Sequence, residues 1–376
     1  MQNTGVRSQK LELRTSPRGR YWPTLTDSME LEGVRSVGAV KETSALHFAW
    51  FRPSFVSFPK MRILVTGGAG FIGSHLVEAL LMQGTRVSVI DDFNDFYDPL
   101  IKEKNLEAIR TRISVHKIDI RNKEAVAEVI SAEKPDAIVH LAARAGVRPS
   151  VRNPELYLDT NVKGTFYLLE AAKTAGIDRF IFASSSSVYG ASKEVPFRES
   201  QVLTQTLSPY AATKLAGEHL CSTYSYLYGL RVVCLRFFTV YGPRQRPDLA
   251  IHKFTKLIHS GKPIDLYGDG TARRDFTYID DIIQGIVASL EYDQELFDIF
   301  NLGESDTIEL RQMIAELEAV LGRIAIINPL PPVPGDMPAT YADVSKARRL
   351  LGYTPKTRIR EGLRKFIEWY LRSQVV

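Results

Sequence analysis

Apolar positions change their period in a regular way from Met61 onward in this 376-residue chain. Short, nearly continuous apolar runs are typical of buried strands, and between these runs apolar residues recur at helical spacing. The runs predict strands at residues 61–66, 86–90, 113–118, 137–141, 179–183 and 231–237. Strands that alternate with helices indicate an α/β fold, in which helices cover both faces of a doubly wound parallel sheet.

Residues 1–60 show no comparable period and contain several prolines and glycines. They do not begin with an apolar segment, so they do not resemble a secretory signal. We expect a mostly disordered N-terminal extension, arising from an upstream start site, with Met61 as the functional beginning. A targeting segment is the alternative, and the five acidic residues of this stretch argue against it.

Composition places the chain among soluble globular proteins, with 44% hydrophobic and 24% charged residues. The formal net charge is +5, but residues 1–60 alone hold nine Lys/Arg against five Asp/Glu. The remainder is nearly neutral, which removes the argument for a nucleic-acid-binding surface. No run reaches the roughly 18 apolar residues that are needed to cross a membrane.

The cysteines and histidines carry little functional signal. Cys221 and Cys234 lie in apolar segments, so we predict that both are reduced core residues of a cytoplasmic protein. Neither they nor the seven histidines have the spacing of metal ligands, and we predict no metal.

A glycine-rich turn follows the first predicted strand. Gly67, Gly70 and Gly73 are spaced so that the backbone can turn tightly, approach a pyrophosphate and pack a helix closely on the strand. Asp91 follows the second predicted strand, where an acid binds an adenosine ribose and repels a 2′-phosphate. The complete strand, turn, helix, strand and acid order predicts an NAD site rather than an unrelated glycine turn.

The chain becomes richer in turns, proline, glycine and arginine after residue 237. We therefore predict a Rossmann-type NAD-binding domain at residues 61–237. Residues 238–376 are predicted to form mainly a smaller C-terminal α/β lobe that binds substrate.

Tyr210 and Lys214 lie four residues apart, which on a helix places them on one face. A nearby cation favours a phenolate and lowers the pKa of a tyrosine, so the pair can supply a general base. The spacing alone is weak evidence, because neighbours at this separation are common on helix surfaces. The glycine turn and Asp91 upstream strengthen the interpretation of the pair as functional.

From Met61 to near its end, the chain resembles the extended short-chain dehydrogenase/reductase family, and within it the nucleotide-sugar epimerases. The resemblance covers about five-sixths of the chain, in the family's order. The shared motifs are residues 66–73, Asp91, residues 119–120, 140–143, 161–165 and 184–190, the Tyr210/Lys214 pair, and residues 274–280.

Several stretches are most similar to UDP-glucuronate 4-epimerases, namely residues 93–102, 145–150, 237–248 and 335–343. UDP-glucose 4-epimerases typically carry Asn at the position of Thr239. One departure points the other way, since glucuronate epimerases commonly have Gln at the position of Arg144. Epimerases of neutral UDP-hexoses therefore stay open as the alternative.

The resemblance implies a mechanism. Tyr210, as a phenolate, would remove the proton of the sugar 4-hydroxyl while hydride moves from C4 to NAD+ and returns to the opposite face. Lys214 would lower the pKa of Tyr210 and hold the nicotinamide ribose, and Ser185 would hydrogen-bond the reacting hydroxyl. The other implied cofactor contacts are Gly67, Gly70, Phe71, Ile72, Gly73, Asp91, Asp119, Ile120, Ala142, Ala143 and Asn161.

The implied substrate contacts are Ser185, Ser186, Ser187, Thr239, Arg246, Arg274 and Asp336. In this set, Thr239 and Arg246 are candidates for a sugar carboxylate, since a guanidinium pairs well with a planar anion. Arg244 is an alternative cation for that role. Arg274 would bind the UDP phosphates, and Asp336 would face the uridine ribose.

The serine run distinguishes among relatives. Sugar-nucleotide dehydratases and UDP-glucuronate decarboxylases carry acidic residues where Ser186 and Ser187 stand, so the resemblance favours epimerisation without elimination. A non-catalytic NAD-binding relative is a remote alternative, because such relatives usually lose the tyrosine or the lysine.

The helices predicted near residues 154–176 and 208–229 have apolar residues on more than one face. Members of the family pair these helices in a dimer, and we expect a homodimer. Simple packing of both helices against the sheet is the alternative.

Overall fold

The computed structural model describes residues 61–332 and 339–374. The predictions for residues 1–60 and for Asp336 therefore lie outside the described residues. The strands are β1 (Arg62–Thr66), β2 (Arg86–Asp91), β3 (Ser114–Lys117), β4 (Ala137–His140), β5 (Arg179–Ser185), β6 (Arg231–Phe237), β7 (Thr239–Tyr241), β8 (Ile264–Tyr267), β9 (Arg273–Arg274), β10 (Phe276–Tyr278), β11 (Phe297–Leu302), β12 (Ile308–Glu309) and β13 (Ile327–Leu330).

Helices separate most of these strands. The helices are α1 (Phe71–Met82), α2 (Pro99–Glu107), α3 (Lys123–Glu133), α4 (Val147–Arg152), α5 (Pro154–Tyr157), α6 (Gly164–Ala175), α7 (Pro209–Tyr228), α8 (Ala250–His259), α9 (Ile279–Ser289), α10 (Leu310–Leu321), α11 (Ser345–Leu351) and α12 (Ile359–Ser373). Short 3₁₀ turns occupy Arg110–Arg112 and Ser186–Tyr189, and a π-helical turn spans Leu158–Lys163.

The central element is a seven-stranded sheet in the order β11-β6-β5-β4-β1-β2-β3, and every pair in it is parallel. This is a Rossmann-type α/β fold, and the six strands predicted from sequence are confirmed. The chain runs outward from β1 in both directions, so the strand order reverses between β1 and β4. Ligands of such sheets bind at this reversal, beyond the carboxyl ends of the strands.

Alternate side chains of each strand feed two separate hydrophobic cores. Ile63 and Val65 of β1 belong to a large core that also includes side chains of α1 and α9. Leu64 between them points into a second core shared with α3, α6 and α7. Both faces of the sheet are therefore buried, which explains why the strands appear in the sequence as continuous apolar runs.

Strand β11 was not predicted. It lies at the edge of the sheet, pairs with β6, and carries Asp298 and the buried Asn301 among its apolar residues. These polar residues interrupt the apolar run that would have identified it. The division into lobes at residue 237 stays a prediction, to which the structure adds that β11, from the C-terminal half, completes the central sheet.

Local signals explain where α7 begins and ends. The Ser208 side chain accepts a hydrogen bond from the Ala211 N–H at 3.2 Å, and Pro209 occupies the first helical turn. Gly229, with φ of +68°, ends the helix in a left-handed conformation. The free thiols of Cys221 and Cys234 are buried, as predicted for core residues. Among the described residues, no helix is long and apolar enough to span a membrane.

Close packing of α7 on β5 should make Gly217 intolerant of a larger residue. A Cβ atom there would lie 2.4 Å from Cζ of the buried Phe182. We expect Gly217→Val to lower the free energy of unfolding by about 1–3 kcal/mol, because the packed core cannot absorb the added carbons. Urea unfolding followed by circular dichroism measures this. Thr223→Val at an exposed position of the same helix is the control, with a change within about 0.5 kcal/mol; equal effects would disprove the tight packing.

Candidate functional site

A cavity of about 650 Å³ opens at the carboxyl ends of the central strands. It brings together most of the residues that the sequence singled out. Those lining it are Gly67, Gly70, Phe71, Ile72, Gly73, Asp91, Ile120, Ala142, Ala143, Ser185, Ser186, Ser187, Tyr210, Lys214, Thr239, Arg246 and Arg274. Asp119 and Asn161 do not line the cavity.

The glycine turn leaves no room for side chains. Gly67 has φ of +71°, and a Cβ atom there would lie 2.8 Å from the backbone nitrogen of Ala142. A Cβ atom at Gly73 would lie 2.1 Å from the carbonyl oxygen of Gly67. Both clashes are with backbone, which cannot move aside. The turn thus brings the start of α1 directly onto the ends of β1 and β4, and the first residues of this helix line the cavity.

Asp91 is held rigidly at the end of β2. Its carboxylate accepts hydrogen bonds from the N–H groups of Ala69 at 3.1 Å and Phe93 at 2.9 Å. Burial raises the pKa of Asp91, and the Lys102 ammonium at 3.9 Å acts in the opposite direction. The carboxylate therefore ties the glycine turn to the second strand while it lines the cavity.

The other two predicted cofactor residues have different surroundings. Asp119 accepts hydrogen bonds from Arg121, at 2.9 Å from Nε and 2.6 Å from Nη2. Asn161 lies in the π-helical turn and exchanges hydrogen bonds with the backbone of Arg144, at 2.8 and 2.9 Å. Its amide also donates to Thr213 of α7 at 3.0 Å. Asn161 thus links α7 to the loop after β4, and the cofactor contacts of both residues stay predictions.

Tyr210 and Lys214 face the end of β5 from the first turns of α7. The Lys214 ammonium donates a hydrogen bond to the carbonyl of Ala183 at 2.7 Å and lies 5.1 Å from the centre of the Phe182 ring. Lys214 is 4% exposed, and this burial lowers its pKa to about 8. The Tyr210 side chain is half-buried and lines the same cavity.

Burial raises the pKa of Tyr210, whereas a hydrogen bond with Ser185 and the charge of Arg246 act in the opposite direction. Ser185 and Arg246 thus favour the phenolate, and the effect of Lys214 on Tyr210 stays a prediction. Helical spacing could not reveal the cost of enclosing the phenol.

Ser185 is oriented by its neighbour Ser187. The Ser185 hydroxyl oxygen accepts hydrogen bonds from the Ser187 N–H at 3.2 Å and from the Ser187 hydroxyl at 3.0 Å. With its oxygen used as an acceptor twice, Ser185 has its own O–H to donate to the Tyr210 oxygen. A donor in that position stabilises the phenolate.

The structure separates the two arginines that the sequence left as alternatives. Arg246 lines the cavity, donates to both carboxylate oxygens of Asp248 at 3.0 and 2.8 Å, and lies 5.3 Å from the centre of the Phe96 ring. Arg244 instead pairs with Glu78 at 2.7 Å, away from the lining residues. Arg274 lines the cavity, and its Nη1 donates to the carbonyl of Arg273 at 2.8 Å.

The loop after β2 and the start of α2 hold cavity residues that were not among the predicted site residues. Asn94, Phe96, Tyr97 and Lys102 all line the cavity, as does Arg144, which donates to the Asn94 side chain at 3.1 Å. The stretch had been noted only for its resemblance to glucuronate epimerases. Its alternating aromatic and polar residues beyond a strand end were the signal for a binding loop.

Residues 63–303 match the family described as "NAD dependent epimerase/dehydratase family". The UDP-glucuronate 4-epimerase of Thermodesulfobacterium geofontis is 44% identical over 309 residues, which are 81% of this chain and 95% of that protein.

Solved structures agree with this match. The UDP-glucuronic acid 4-epimerase of Bacillus cereus, crystallised with UDP-glucuronic acid and NAD, is 40% identical with a TM-score of 0.79, covering 83% of this chain and 100% of that one. The UDP-glucose 4-epimerase of Thermus thermophilus, crystallised with NAD, is 33% identical with a TM-score of 0.76, covering 83% and 99%. The chain therefore belongs to the NAD-dependent epimerase/dehydratase family.

Proposed function

We propose that this protein is an NAD-dependent epimerase that inverts C4 of UDP-glucuronate to give UDP-galacturonate. One observation carries the proposal: Tyr210, Ser185 and Arg246 line the same cavity, with Ser185 and Arg246 both favouring the Tyr210 phenolate. A general base and a cation suited to a carboxylate thus lie together. The relatives named above, two of which are glucuronate epimerases, support this choice of substrate.

The residues around the glycine turn fit NAD. Gly67 and Gly73 allow the backbone to approach a pyrophosphate, and Asp91 presents a fixed carboxylate at the position where a ribose binds. Bound NAD supplies a hydride acceptor that returns the hydride within the same turnover, so the reaction needs no other oxidant. We propose the residues predicted above as its contacts, among which Lys214 holds the nicotinamide ribose.

The proton is handled by Tyr210. Its phenolate oxygen removes the proton of the 4-hydroxyl and later returns it, and the sugar rotates in between so that the other face of C4 is presented. Ser185 and Arg246 lower the cost of the phenolate during this cycle. With a pKa of about 8, Lys214 is mostly protonated at neutral pH and adds a buried positive charge beside the same strand end.

Two arginines that line the cavity match the negative charges of the substrate. Arg246 would bind the C5 carboxylate, with Thr239 beside it, and Arg274 would bind the diphosphate. Ser186 and Ser187 would contact the sugar. Because Asp248 already pairs with Arg246, the substrate carboxylate adds to or replaces an existing ion pair. A neutral UDP-hexose is the second candidate substrate, favoured by the presence of Arg144 where glucuronate epimerases commonly have Gln.

We propose a cytoplasmic homodimer that uses the exposed face of α7. Tyr226, Leu227 and Tyr228 are 88%, 57% and 51% exposed at the end of this helix, and Phe166 of α6 is 39% exposed. Large apolar side chains grouped in this way are typical of an interface with another chain.

Removal of the Tyr210 hydroxyl tests the catalytic assignment. We expect Tyr210→Phe to lower kcat for UDP-glucuronate by roughly 100-fold or more, the scale of general-base catalysis. The content of bound NAD should stay unchanged, because the glycine turn is intact. Chromatographic separation of the C4 epimers measures the rate. Tyr226→Phe on the exposed end of α7 is the control, and retention of full activity by Tyr210→Phe would show that another group is the base.

Cofactor retention depends on the glycine turn. We expect Gly73→Ala to lower the NAD released on denaturation by at least roughly tenfold, because the added methyl pushes the backbone out of its approach to the pyrophosphate. Gly322→Ala is the control for a strained glycine outside the cavity: its φ of +64° disfavours alanine, but the added Cβ would meet no atom within 4 Å, so the NAD content should not change. A Gly73→Ala protein that retained stoichiometric NAD would contradict the placement of the cofactor.

The two arginines give a test of carboxylate recognition. We expect Arg246→Met to raise the Kd of UDP-glucuronate by roughly 10- to 100-fold, the value of a charged hydrogen-bonded pair, with little change for UDP alone. Arg244→Met should leave both constants unchanged. Calorimetric titration of each variant measures the values, and a loss of UDP binding equal to that of UDP-glucuronate would remove Arg246 from the carboxylate site.

A further inference from the structure

One face of α7 contacts three consecutive residues at the end of β5. Tyr210 meets the hydroxyl of Ser185, and Lys214 meets the carbonyl of Ala183. One turn further on, Glu218 accepts a hydrogen bond from the hydroxyl of Ser184 at 2.5 Å. The third contact has no place in the mechanism described so far, although Ser184 also lines the cavity.

Glu218 is held by a buried ion pair. Its carboxylate accepts bonds from Arg236 of β6 at 2.9 Å from Nε and 2.8 Å from Nη2, and both side chains are 3% exposed. Arg236 is also the residue directly opposite Ser184 in the pairing of β5 with β6. The ion pair and the Ser184 hydroxyl therefore form one compact group behind the catalytic strand end.

The group is anchored further into the fold. Arg236 donates to the hydroxyl of Tyr189 at 3.1 Å, and that hydroxyl donates to the side chain of Asn301 on β11 at 2.6 Å. Tyr189 ends the 3₁₀ turn that begins at Ser186. The serine run is thus tied to the buried pair at its start through Ser184, and the turn that contains its last serines is tied to the same pair through Tyr189.

We propose that Glu218, held by Arg236, is a positioning residue that sets the placement of Ser185. This inference rests on the proposed function. A buried ion pair costs more desolvation than it returns unless its geometry is excellent, so it is poor evidence for stability alone. Because the ion pair lies between β5, β6 and α7, it also fixes the end of β5 against α7, the helix that carries Tyr210.

Glu218 also contributes to the electrostatics at Lys214. Cys221, Glu218 and Cys234 act against the burial that lowers the Lys214 pKa, and His140 of β4 is electrostatically coupled to the ammonium. Arg236 faces the same region from β6. Glu218 lies one helical turn from Lys214, but Arg236 carries the opposite charge beside it, so the ion pair as a whole adds little net charge near the ammonium.

Two variants of the full-length protein test the tether and the ion pair that holds it. Ser184→Ala removes the hydrogen bond and leaves the ion pair. Glu218→Gln combined with Arg236→Gln removes both charges but keeps side chains able to hydrogen-bond each other. Asp298→Asn combined with Lys346→Gln removes an ion pair elsewhere in the molecule and is the control. For each protein, the NAD content, Tm, Kd of UDP-glucuronate, KM and kcat across pH are measured.

We expect Ser184→Ala to lower kcat by roughly tenfold, on the scale of small misplacements of catalytic groups, with Tm, NAD content and Kd close to those of the natural protein. We expect the glutamine pair to lower kcat likewise while the Kd of UDP-glucuronate stays unchanged, a split that a merely structural role would not produce. Because this variant removes one positive and one negative charge, the pH dependence of kcat should stay in place.

Unchanged kcat in Ser184→Ala overturns the tether, and so does a glutamine pair whose kcat equals that of the Asp298→Asn/Lys346→Gln control. If the glutamine pair does not fold, Ser184→Ala alone decides the proposal. If the natural protein does not convert UDP-glucuronate, the proposed function fails instead. The kcat values of the variants and the natural protein are then compared on whichever UDP-sugar the natural protein converts.

Discussion

Enclosure of the Tyr210 hydroxyl and the Lys214 ammonium against the end of β5 is the constraint on which the site depends. Burial disfavours both charged forms, so it raises the pKa of the phenol and lowers that of the amine. Such a site works only if nearby groups restore the charged forms. Ser185 and Arg246 act on the tyrosine, the Ala183 carbonyl accepts a hydrogen bond from the lysine, and Glu218 lies one turn away.

The parallel sheet makes this enclosure possible. β5 lies between β4 and β6, and the reversal of strand order between β1 and β4 leaves a cleft one strand away. The glycine turn reaches this cleft from β1, and α7 packs on the end of β5. The glycine turn and Tyr210 therefore line one cavity.

Much of the fold was predictable because its strands are buried on both faces and therefore appear as continuous apolar runs. Strand β11 was not, because Asp298 and Asn301 have partners that only the folded chain supplies, such as Tyr189 and Lys346. At the site, too, features that depend on local spacing were predictable from the sequence. The glycine turn and the Tyr210/Lys214 pair depend on local spacing, which a sequence displays.

Other features of the site depend on contacts between distant parts of the chain. The proposal of Arg246 rather than Arg244 for the carboxylate rests on which of the two lines the cavity, and the raised pKa of Tyr210 follows from burial. The pairing of Ser184 with Glu218 joins residues 34 positions apart. Periodicity and motif spacing contain no signal for contacts of this kind, so the structure was needed to find them.

The most direct test of the central claim is incubation of the purified protein with UDP-glucuronate, without added NAD, followed by separation of the C4 epimers. The account predicts an equilibrium mixture of UDP-glucuronate and UDP-galacturonate, with no net accumulation of NADH. Conversion of UDP-glucose but not of UDP-glucuronate would contradict the role assigned to Arg246 and the choice of substrate.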